Sequence, residues 1–342
     1  MTNTFASIIK KRLRAVLLIT PVLPAFFAVA ITLSGFASKA VDLRRPADQV
    51  VATAAVSDLP SVPLPINEHV QKEITRLTTG NGRYTVEKWL SRSGKYFPMM
   101  RQVFAEEGVP QELIYLSMIE SGLNPVVASG AKAVGLWQFI QSTGAAYGLR
   151  VNSYTDDRRD PVEATRAAAR HLRDLYNTMG DWHLALSTYN CSMGAIKRAM
   201  TKYKSTSYWG ILQGIPKETR DYVPRFIAAT IIASNPEKYG FTNIWYEQPA
   251  QYETVQVKGS HSLDALAAAA GVSALEVKVL NPELLQTKTP PANLTGAAGY
   301  ALKIPVGLTQ KFYANFGGKP EKPILVAENA DRLEEMQMRA GL

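Results

Sequence analysis

The chain has 342 residues, a formal net charge of +9 and a single cysteine, Cys191. This length allows one sizeable domain and a smaller one. One cysteine excludes an internal disulfide framework and a cysteine-based zinc site, and the four histidines lack the spacing of a metal-ligand motif. We therefore expect neither a metal nor a cofactor. Beyond the N-terminal segment no run of Lys and Arg is interleaved with aromatic residues, so we also expect no nucleic-acid partner.

The first 37 residues have the pattern of an export signal. Residues 1–14 are polar and basic, and residues 15–37 carry no charge. The apolar run is longer than the ~7–15 residues of an ordinary signal and close to the ~20 of a membrane-spanning helix. A cleaved signal peptide and an uncleaved membrane anchor are both open. Either one predicts export to the periplasm or cell envelope, with possible association with the inner or outer membrane.

The next part of the chain changes from a linker to a helical domain. Residues 38–66 are rich in Ala, Val and Pro, which is typical of a flexible linker without a core. From residue 67, apolar residues recur at three- and four-residue spacing and predict a helical domain over 67–245. Helices are predicted over 69–77 and 86–104, and further helices are predicted to begin at Pro110, Ser142, Asp160-Pro161, Asp181 and Pro216, the last of them broken or kinked at Pro224.

A different pattern begins near residue 250. Alternating residues predict strands over 252–257 and 300–304, and two helices are predicted between them, over 263–270 and 273–280. We expect a small unit over 250–307, separate from the helical body, and a C-terminal tail over 308–342 without a clear pattern before residue 330. The predicted fold class is mainly α, with a helical domain followed by a small α+β domain of βααβ order.

Glu120 is the candidate catalytic residue, because it ends an unusually apolar helical stretch. Burial disfavours the charged form of a carboxyl group and raises its pKa, which suits an acid that protonates a glycosidic oxygen. Ordinary glycosidases place a second carboxylate about 5–9 Å from the first. No Asp or Glu occurs between Ser121 and Thr155, so a second carboxylate would have to come from a distant segment.

Four motifs follow one another in an order that we recognise. They are Glu120-Ser121, Gly135-Leu136-Trp137-Gln138, Thr188-Tyr189-Asn190 and Glu218-Thr219-Arg220-Asp221-Tyr222. With these motifs the chain resembles the soluble-type family of lytic transglycosylases, in particular its membrane-bound D type. The resemblance implies a lysozyme-like helical catalytic domain. It also implies cleavage of the β-1,4 bond between N-acetylmuramic acid and N-acetylglucosamine in peptidoglycan, without water and with formation of a 1,6-anhydromuramic acid end.

The same resemblance implies a role for each matched residue. Glu120 would be the single acid and then the base. Ser121 would bind substrate or orient Glu120, and Tyr222 would position the Glu120 carboxyl group. The implied substrate-binding residues are Ser121, Gln138, Tyr189, Asn190 and Tyr222. Two other functions are open: a muramidase that hydrolyses the same bond, and a wall-binding or scaffolding protein without catalysis.

Three further residues of the motif regions have simpler interpretations. Glu218 is better explained as a structural hydrogen-bond acceptor than as a second catalytic acid. Phe139 is interpreted as a core aromatic, and for Trp137 a core position and a cleft position are equally open.

The C-terminal unit resembles a LysM peptidoglycan-binding module. The matching residues are Val257, Ser262-Leu263, Gly271-Val272, Leu280-Asn281-Pro282-Glu283-Leu284 and Leu302-Lys303-Ile304-Pro305. Ser260-His261-Ser262 stands where Gly-Asp-Thr is usual, so this copy is degenerate. Both retained glycan binding and simple packing on the catalytic domain are open, and we favour retained binding.

Overall fold

The computed structural model describes residues 59–318. The predicted signal or anchor over 1–37, most of the predicted linker and the end of the predicted tail lie outside these residues. Within 59–318, one hydrophobic core holds a helical body and a second holds the C-terminal unit. The predicted class, mainly α with a small α+β unit, is confirmed.

The helical body is built on long amphipathic helices and on shorter ones, one of which, Leu116–Ser121, has its first half buried. Its helices are α1 (Glu68–Thr78), α2 (Gly80–Glu106), α3 (Leu116–Ser121), α4 (Gln141–Ala146), α5 (Pro161–Met179), α6 (Trp182–Asn190), α7 (Met193–Tyr203) and α8 (Lys217–Ser234). α1 packs on α8, α5 packs on α6, and the short α3 lies against α8. This packing brings the end of α3 to the N-terminal half of α8.

Side-chain caps explain some of these helix starts. The Asp160 carboxylate accepts from the backbone N–H groups at the start of α5, and Asp181 accepts from Leu184 at the start of α6, as the sequence predicts. Two predicted starts are wrong. Pro110 precedes a 3-10 turn, Gln111–Tyr115, and α4 begins one residue before Ser142 without a side-chain cap.

α8 is not broken at Pro224, because a distant side chain satisfies the affected backbone, and the alternative prediction of a kink stays a prediction. Proline has no N–H, so the carbonyl of Arg220, four residues earlier, loses its donor within the helix. The buried hydroxyl of Tyr208 donates to that carbonyl oxygen at 2.7 Å. α8 therefore runs through Pro224 to Ser234.

The end of the predicted flexible linker packs on the helical body. The indole N–H of Trp182 donates to the carbonyl oxygen of Pro60 at 2.7 Å. The Nε2 atom of His183 lies 2.8 Å from the carbonyl oxygen of Pro63. Val62, between them, belongs to the main hydrophobic core. Residues 60–63 are thus held in place, although their composition is that of a linker.

The C-terminal unit has the predicted strands and helices and two helices more. β1 (Tyr252–Val257) pairs antiparallel with β2 (Tyr300–Pro305). Its helices are α9 (Leu263–Ala270), α10 (Ala274–Leu280), α11 (Ala292–Thr295) and α12 (Thr309–Phe316). α12 lies beyond residue 307, where the sequence predicts a tail, and its Phe312 is fully buried in the second core.

The C-terminal unit has its own hydrophobic core, and it is also in contact with the helical body. The backbone N–H of Asp156 donates to the carbonyl oxygen of Glu283 at 2.9 Å. The N–H of Leu285 donates to that of Tyr154 at 2.7 Å. The segment between α4 and α5 is therefore joined to the C-terminal unit by its backbone.

Candidate active site

Glu120 lies in the last turn of α3, where the helix ends at Gly122 in the left-handed conformation (φ 62°). The residues before it are buried in the main core, and Glu120 is itself half-buried. Burial raises the pKa of Glu120 from 4.5 to about 7 and is the largest cause of that shift. A hydrogen bond from Tyr222 lowers this pKa, the nearby charge of Glu218 raises it, and Arg225 lowers it. The raised pKa that the apolar pattern predicts is thus accounted for.

Tyr222 reaches Glu120 from α8. Its hydroxyl donates a short hydrogen bond to Oε1 of Glu120. Tyr222 is buried, and burial together with the Glu120 charge raises the pKa of the phenol well above 10. The hydroxyl therefore stays protonated and remains a donor, whichever charge Glu120 carries.

Tyr189 connects the site to the loop over residues 122–140, which we call the cleft loop. Its hydroxyl donates to the carbonyl oxygen of Trp137 at 2.7 Å. Burial raises the pKa of Tyr189 well above 10, and the charge of Glu120 adds to that rise, which places both side chains in one neighbourhood. The Tyr189 ring packs 5.2 Å from the ring of His171 and 6.4 Å from that of Phe139, measured between centroids.

Ser121 and Gln138 use their side chains to hold the cleft loop. The Ser121 hydroxyl donates to the carbonyl oxygen of Leu136 at 2.9 Å, and Nε2 of Gln138 donates to that of Gly135 at 2.9 Å. Gln138 has a positive φ of 49°, as do Leu123 and Lys132 in the same loop. A non-glycine residue in this conformation costs on the order of 1–3 kcal/mol, so the surrounding bonds must hold it. Direct sugar contacts of Ser121 and Gln138 stay predictions.

Asn190 and Glu218 form a small hydrogen-bonded group beside Glu120. The side-chain oxygen of Asn190 accepts from the Thr219 hydroxyl at 2.9 Å, and Asn190 is also hydrogen-bonded to the Glu218 carboxylate. Burial raises the pKa of Glu218. A second carboxylate is thus present near Glu120, and it comes from a distant segment. Its bond to Asn190 agrees with the prediction that Glu218 is a structural acceptor.

The sequence leaves open whether Trp137 lies in the core or in the cleft, and the structure places it in the core. Trp137 is fully buried and stacks on Phe104, with 5.5 Å between the ring centroids. Its indole N–H donates to the Thr165 hydroxyl at 2.9 Å. Phe139 is also buried, as predicted. Trp137 contributes to the site through its backbone carbonyl, which accepts from Tyr189.

Sequence reasoning missed two residues around the site. Arg225 lies one turn beyond Tyr222 on α8 and lowers the pKa of Glu120 by its charge. His171 lies beneath Tyr189, and burial lowers the pKa of its imidazole to about 4, so it is neutral at ordinary pH. Its Nδ1 is 3.1 Å from the Tyr147 hydroxyl, which donates to Asp174. Arg225 could have been found from the sequence, because it lies three residues after Tyr222 and therefore on the same face of α8. The local pattern around His171 gives no such indication.

A cavity of about 420 Å³ opens beside Ile119, the neighbour of Glu120. Its charged lining residues are the cations Lys72, Arg76, Lys217 and Arg225 and the anions Glu73 and Asp221. Three of the cations are paired with these carboxylates: Arg76 with Glu73 at 2.6 Å, Arg225 with Glu73 at 3.5 Å, and Lys217 with Asp221. The excess of cations makes this side of the site suitable for an anionic group.

Two negative observations concern residues 59–318 alone. No cluster of three or more His, Cys, Asp or Glu side chains in this range has the arrangement of a metal site. No helix in the same range combines the length and the apolar composition needed to cross a membrane.

The chain matches two family models, one for each hydrophobic core. Residues 101–212 match the Transglycosylase SLT domain, and residues 251–316 match the domain described as Lytic transglycosylase MltD, LysM-like domain. The second match ends at the last residue of α12, as the second core does. These matches cover the first three motifs and the C-terminal pattern, and they confirm the resemblance.

Curated relatives agree with the family models. The Membrane-bound lytic murein transglycosylase D of Escherichia coli K12 is 30% identical over 233 residues, which cover 67% of this chain and 51% of that relative. A Membrane-bound lytic murein transglycosylase C of Serratia proteamaculans is 28% identical over 138 residues, covering 36% of this chain and 38% of the relative. The chain thus spans about half the length of the first relative.

Solved structures give weaker similarity. The 70-kDa soluble lytic transglycosylase of Escherichia coli aligns with 56% of this chain and 41% of its own, at 15% identity and a TM-score of 0.39. An inactive mutant of the lytic transglycosylase Slt from Pseudomonas aeruginosa aligns with 44% of this chain and 25% of its own, at 19% identity and a TM-score of 0.36. The family models and the curated relatives, rather than these alignments, support the resemblance to lytic transglycosylases.

Replacing Glu120 with Gln is predicted to change how stability depends on pH. Folding raises the pKa of Glu120 from 4.5 to about 7, so the folded protein binds this proton more tightly than the unfolded chain. Stability from this group is therefore present below pH 4.5 and is lost as the pH rises through 7. The Glu120→Gln variant avoids that loss. It should be more stable than the wild type by up to about 3 kcal/mol at pH 8, since one pKa unit corresponds to about 1.4 kcal/mol.

Urea denaturation of both proteins at pH 4 and pH 8 measures this effect. The difference between the two proteins should grow from pH 4 to pH 8. An equal difference at the two pH values would show that folding does not shift the pKa of Glu120.

Proposed function

We propose that the protein cleaves the β-1,4 bond between N-acetylmuramic acid and N-acetylglucosamine in peptidoglycan and leaves a 1,6-anhydromuramic acid end. The observation that carries the proposal is the half-buried Glu120, whose pKa is raised to about 7 and whose carboxyl group accepts from Tyr222. The names of the curated relatives, lytic murein transglycosylases D and C, support it.

The first half of the proposed reaction uses Glu120 as an acid. With a pKa of about 7, a large fraction of Glu120 is protonated at neutral pH. It gives this proton to the glycosidic oxygen as the bond from that oxygen to C1 of the muramoyl residue breaks, and N-acetylglucosamine leaves as an alcohol. Glu120 is then a carboxylate, and the hydrogen bond from Tyr222 stabilises the new charge.

The second half uses the same carboxylate as a base. Glu120 takes the proton of the muramoyl C6 hydroxyl as that oxygen attacks C1 and closes the anhydro ring. The proton lost in the first step is regained, and no water is consumed. The nucleophile belongs to the substrate, so its proximity replaces an activated water. A carboxyl group with a pKa near 7 is suited both to donate and to accept a proton at neutral pH.

Glu218 contributes charge rather than a covalent bond in this proposal. Its carboxylate is hydrogen-bonded to Asn190, and its charge helps keep Glu120 protonated. The alternative reaction, hydrolysis, is supported by the same carboxylate, because a second carboxylate could activate a water. The products distinguish the two reactions.

The cation-rich cavity beside Ile119 fits a peptidoglycan substrate, whose peptides carry carboxylates. We also infer export to the periplasm or cell envelope, from the basic and then uncharged pattern of residues 1–37. The name of the first relative, membrane-bound, supports membrane association. Glycan strands of peptidoglycan are the proposed partner of both the helical body and the LysM-like unit.

Digestion of purified peptidoglycan is predicted to release fragments with 1,6-anhydromuramic ends, each lighter by one water than its hydrolysed counterpart. Mass spectrometry of the soluble products makes this measurement. The Glu120→Gln variant should release at least about a hundredfold less, because removing general acid–base catalysis typically costs 10²–10⁴ in rate.

Glu112→Gln is the matched control, since it removes a carboxylate from the 3-10 turn just before α3. It should act like the wild type. Release of fragments with only reducing ends would replace the proposal with hydrolysis. Unchanged release by Glu120→Gln would mean that catalysis does not occur at this site.

Replacing Tyr222 with Phe should move the basic limb of the pH–rate profile to higher pH. The Tyr222 hydrogen bond lowers the pKa of Glu120, so its loss lets burial raise that pKa above about 7. The maximal rate should fall roughly ten- to hundredfold, because the carboxylate formed after proton transfer loses a donor. Tyr84→Phe, at an exposed tyrosine, is the control. A basic limb that stays in place or moves to lower pH in Tyr222→Phe would contradict the assigned role.

A further inference from the structure

The C-terminal unit is docked on the segment between α4 and α5 by backbone pairing. Residues 153–156 of the helical body lie alongside residues 283–286 of the C-terminal unit. Thr155 and Leu284 form an isolated antiparallel bridge. The Gln286 side chain adds a bond to the carbonyl oxygen of Ser153 at 2.9 Å. Backbone pairing of this kind fixes both register and orientation, unlike contact through a flexible linker.

A buried group of charges closes the same interface. The Lys303 ammonium lies 2.5 Å from Oδ2 of Asp160 and 3.1 Å from Oε1 of Glu283, and its side chain is 12% exposed. Tyr300 donates to the same Glu283 oxygen at 2.7 Å. Asp160 caps α5 of the helical body, whereas the other three residues belong to the C-terminal unit. The two carboxylates raise the pKa of Lys303 above its ordinary value in spite of burial, so it stays charged.

Such a group indicates a permanent interface. A buried ion is costly without its partners, so separating the two parts would take the Lys303 cation away from Asp160. Glu283 is only 4% exposed, and Asp160 is also buried. Water would have to enter this site before the C-terminal unit could detach.

Asp156 and Arg158 connect this interface to the cleft loop. The Asp156 backbone N–H is bonded to Glu283, and its carboxylate accepts two bonds from the Arg158 guanidinium, at 2.9 and 2.8 Å. Nη1 of Arg158 donates to the carbonyl oxygens of Lys132 at 2.9 Å and Phe139 at 3.1 Å. The C-terminal unit is thus joined through two side chains to both arms of the cleft loop.

The cleft loop depends on this support because of its backbone. Gly135 packs so closely on the segment that a Cβ there would lie 1.8 Å from the carbonyl oxygen of Arg158. Lys132 and Gln138 have positive φ, which side chains other than glycine rarely adopt. On its other side the loop is held by Ser121, next to Glu120, and by Tyr189. A shift at Arg158 would therefore be passed toward the site.

We propose that the C-terminal unit positions the cleft loop, and that Lys303 and the Asp156–Arg158 pair are positioning residues for the reaction at Glu120. The proposal rests on the proposed function for its kinetic effect, but the mechanical link from the unit to the loop stands on the hydrogen bonds alone. Glycan binding by the unit is not needed for this role.

The test is Lys303→Met in the full chain, which keeps an unbranched side chain only one atom shorter and removes the cation. Hydrogen exchange should become at least about tenfold faster at the amides of Asp156 and Leu285, and also at those of the cleft loop around Phe139. Exchange in α9, within the unit, should not change. Turnover should fall at least about tenfold with a smaller change in KM, since small displacements of a site can cost about 10²-fold in rate.

Two variants serve as controls, and a third is used in place of Lys303→Met if that variant does not fold. Lys303→Arg retains the cation and should restore exchange and turnover. Lys311→Met removes an exposed cation from α12 of the same unit and should have no effect. If Lys303→Met fails to fold, Asp160→Asn removes the charge on the other side while keeping an amide that can cap α5. It should speed exchange at the same amides.

The outcomes separate the possibilities. Faster exchange at Asp156 and Leu285 with unchanged exchange in the cleft loop would overturn the proposal, because the interface would open without moving the loop. A rise in KM alone, with exchange in the loop unchanged, would assign the unit to substrate binding instead. If the wild type releases no muropeptides, the proposed function fails, and the exchange data still decide whether the unit holds the loop.

Discussion

The site depends on one hydrogen bond between two segments that are 102 positions apart in the chain, from the Tyr222 hydroxyl to the Glu120 carboxyl group. It exists because the first half of α3 is buried in the core and α3 packs directly on α8. Burial favours the neutral acid, whereas the bond from Tyr222 favours the carboxylate. These opposing effects bring the pKa of Glu120 to about 7, which suits the proposed role in which one side chain gives and then takes a proton.

Much of this site follows from the sequence, since the decisive signals are local. The apolar residues before Glu120 predict both a buried helix and a raised pKa, and the capping residue Asp160 marks its helix start. What the sequence could not supply are partners from distant segments. Whether Trp137 lies in the core or the cleft depends on Phe104 and Thr165, and no periodicity identifies them as neighbours. The sequence has no Asp or Glu between Ser121 and Thr155, yet α8 brings the carboxylate of Glu218 close to Glu120 from a distant segment.

The same limit explains the wrong predictions about boundaries. Proline-rich residues 60–63 have linker composition, but buried donors on α6 bond their carbonyl oxygens. Pro224 should break α8 by itself, and only the Tyr208 hydroxyl, from outside the helix, replaces the missing donor. The C-terminal unit has its own core and a self-contained pattern, so nothing in its sequence shows that Glu283 and Lys303 face the helical body. A polar residue that satisfies a distant group looks, in sequence, like any surface residue.

The proposed reaction requires that the Glu120 carboxyl group be a weak acid in the folded protein. Carbon-13 NMR of protein labelled at the glutamate side-chain carboxyl measures this directly, and Glu120→Gln identifies the resonance by its absence. We expect this resonance to titrate near pH 7, because burial raises the pKa of Glu120 by more than the Tyr222 hydrogen bond lowers it. Titration at or below pH 5, in the range of an ordinary exposed glutamate, would contradict the central claim, because the acid would already have lost its proton before it met the glycosidic oxygen.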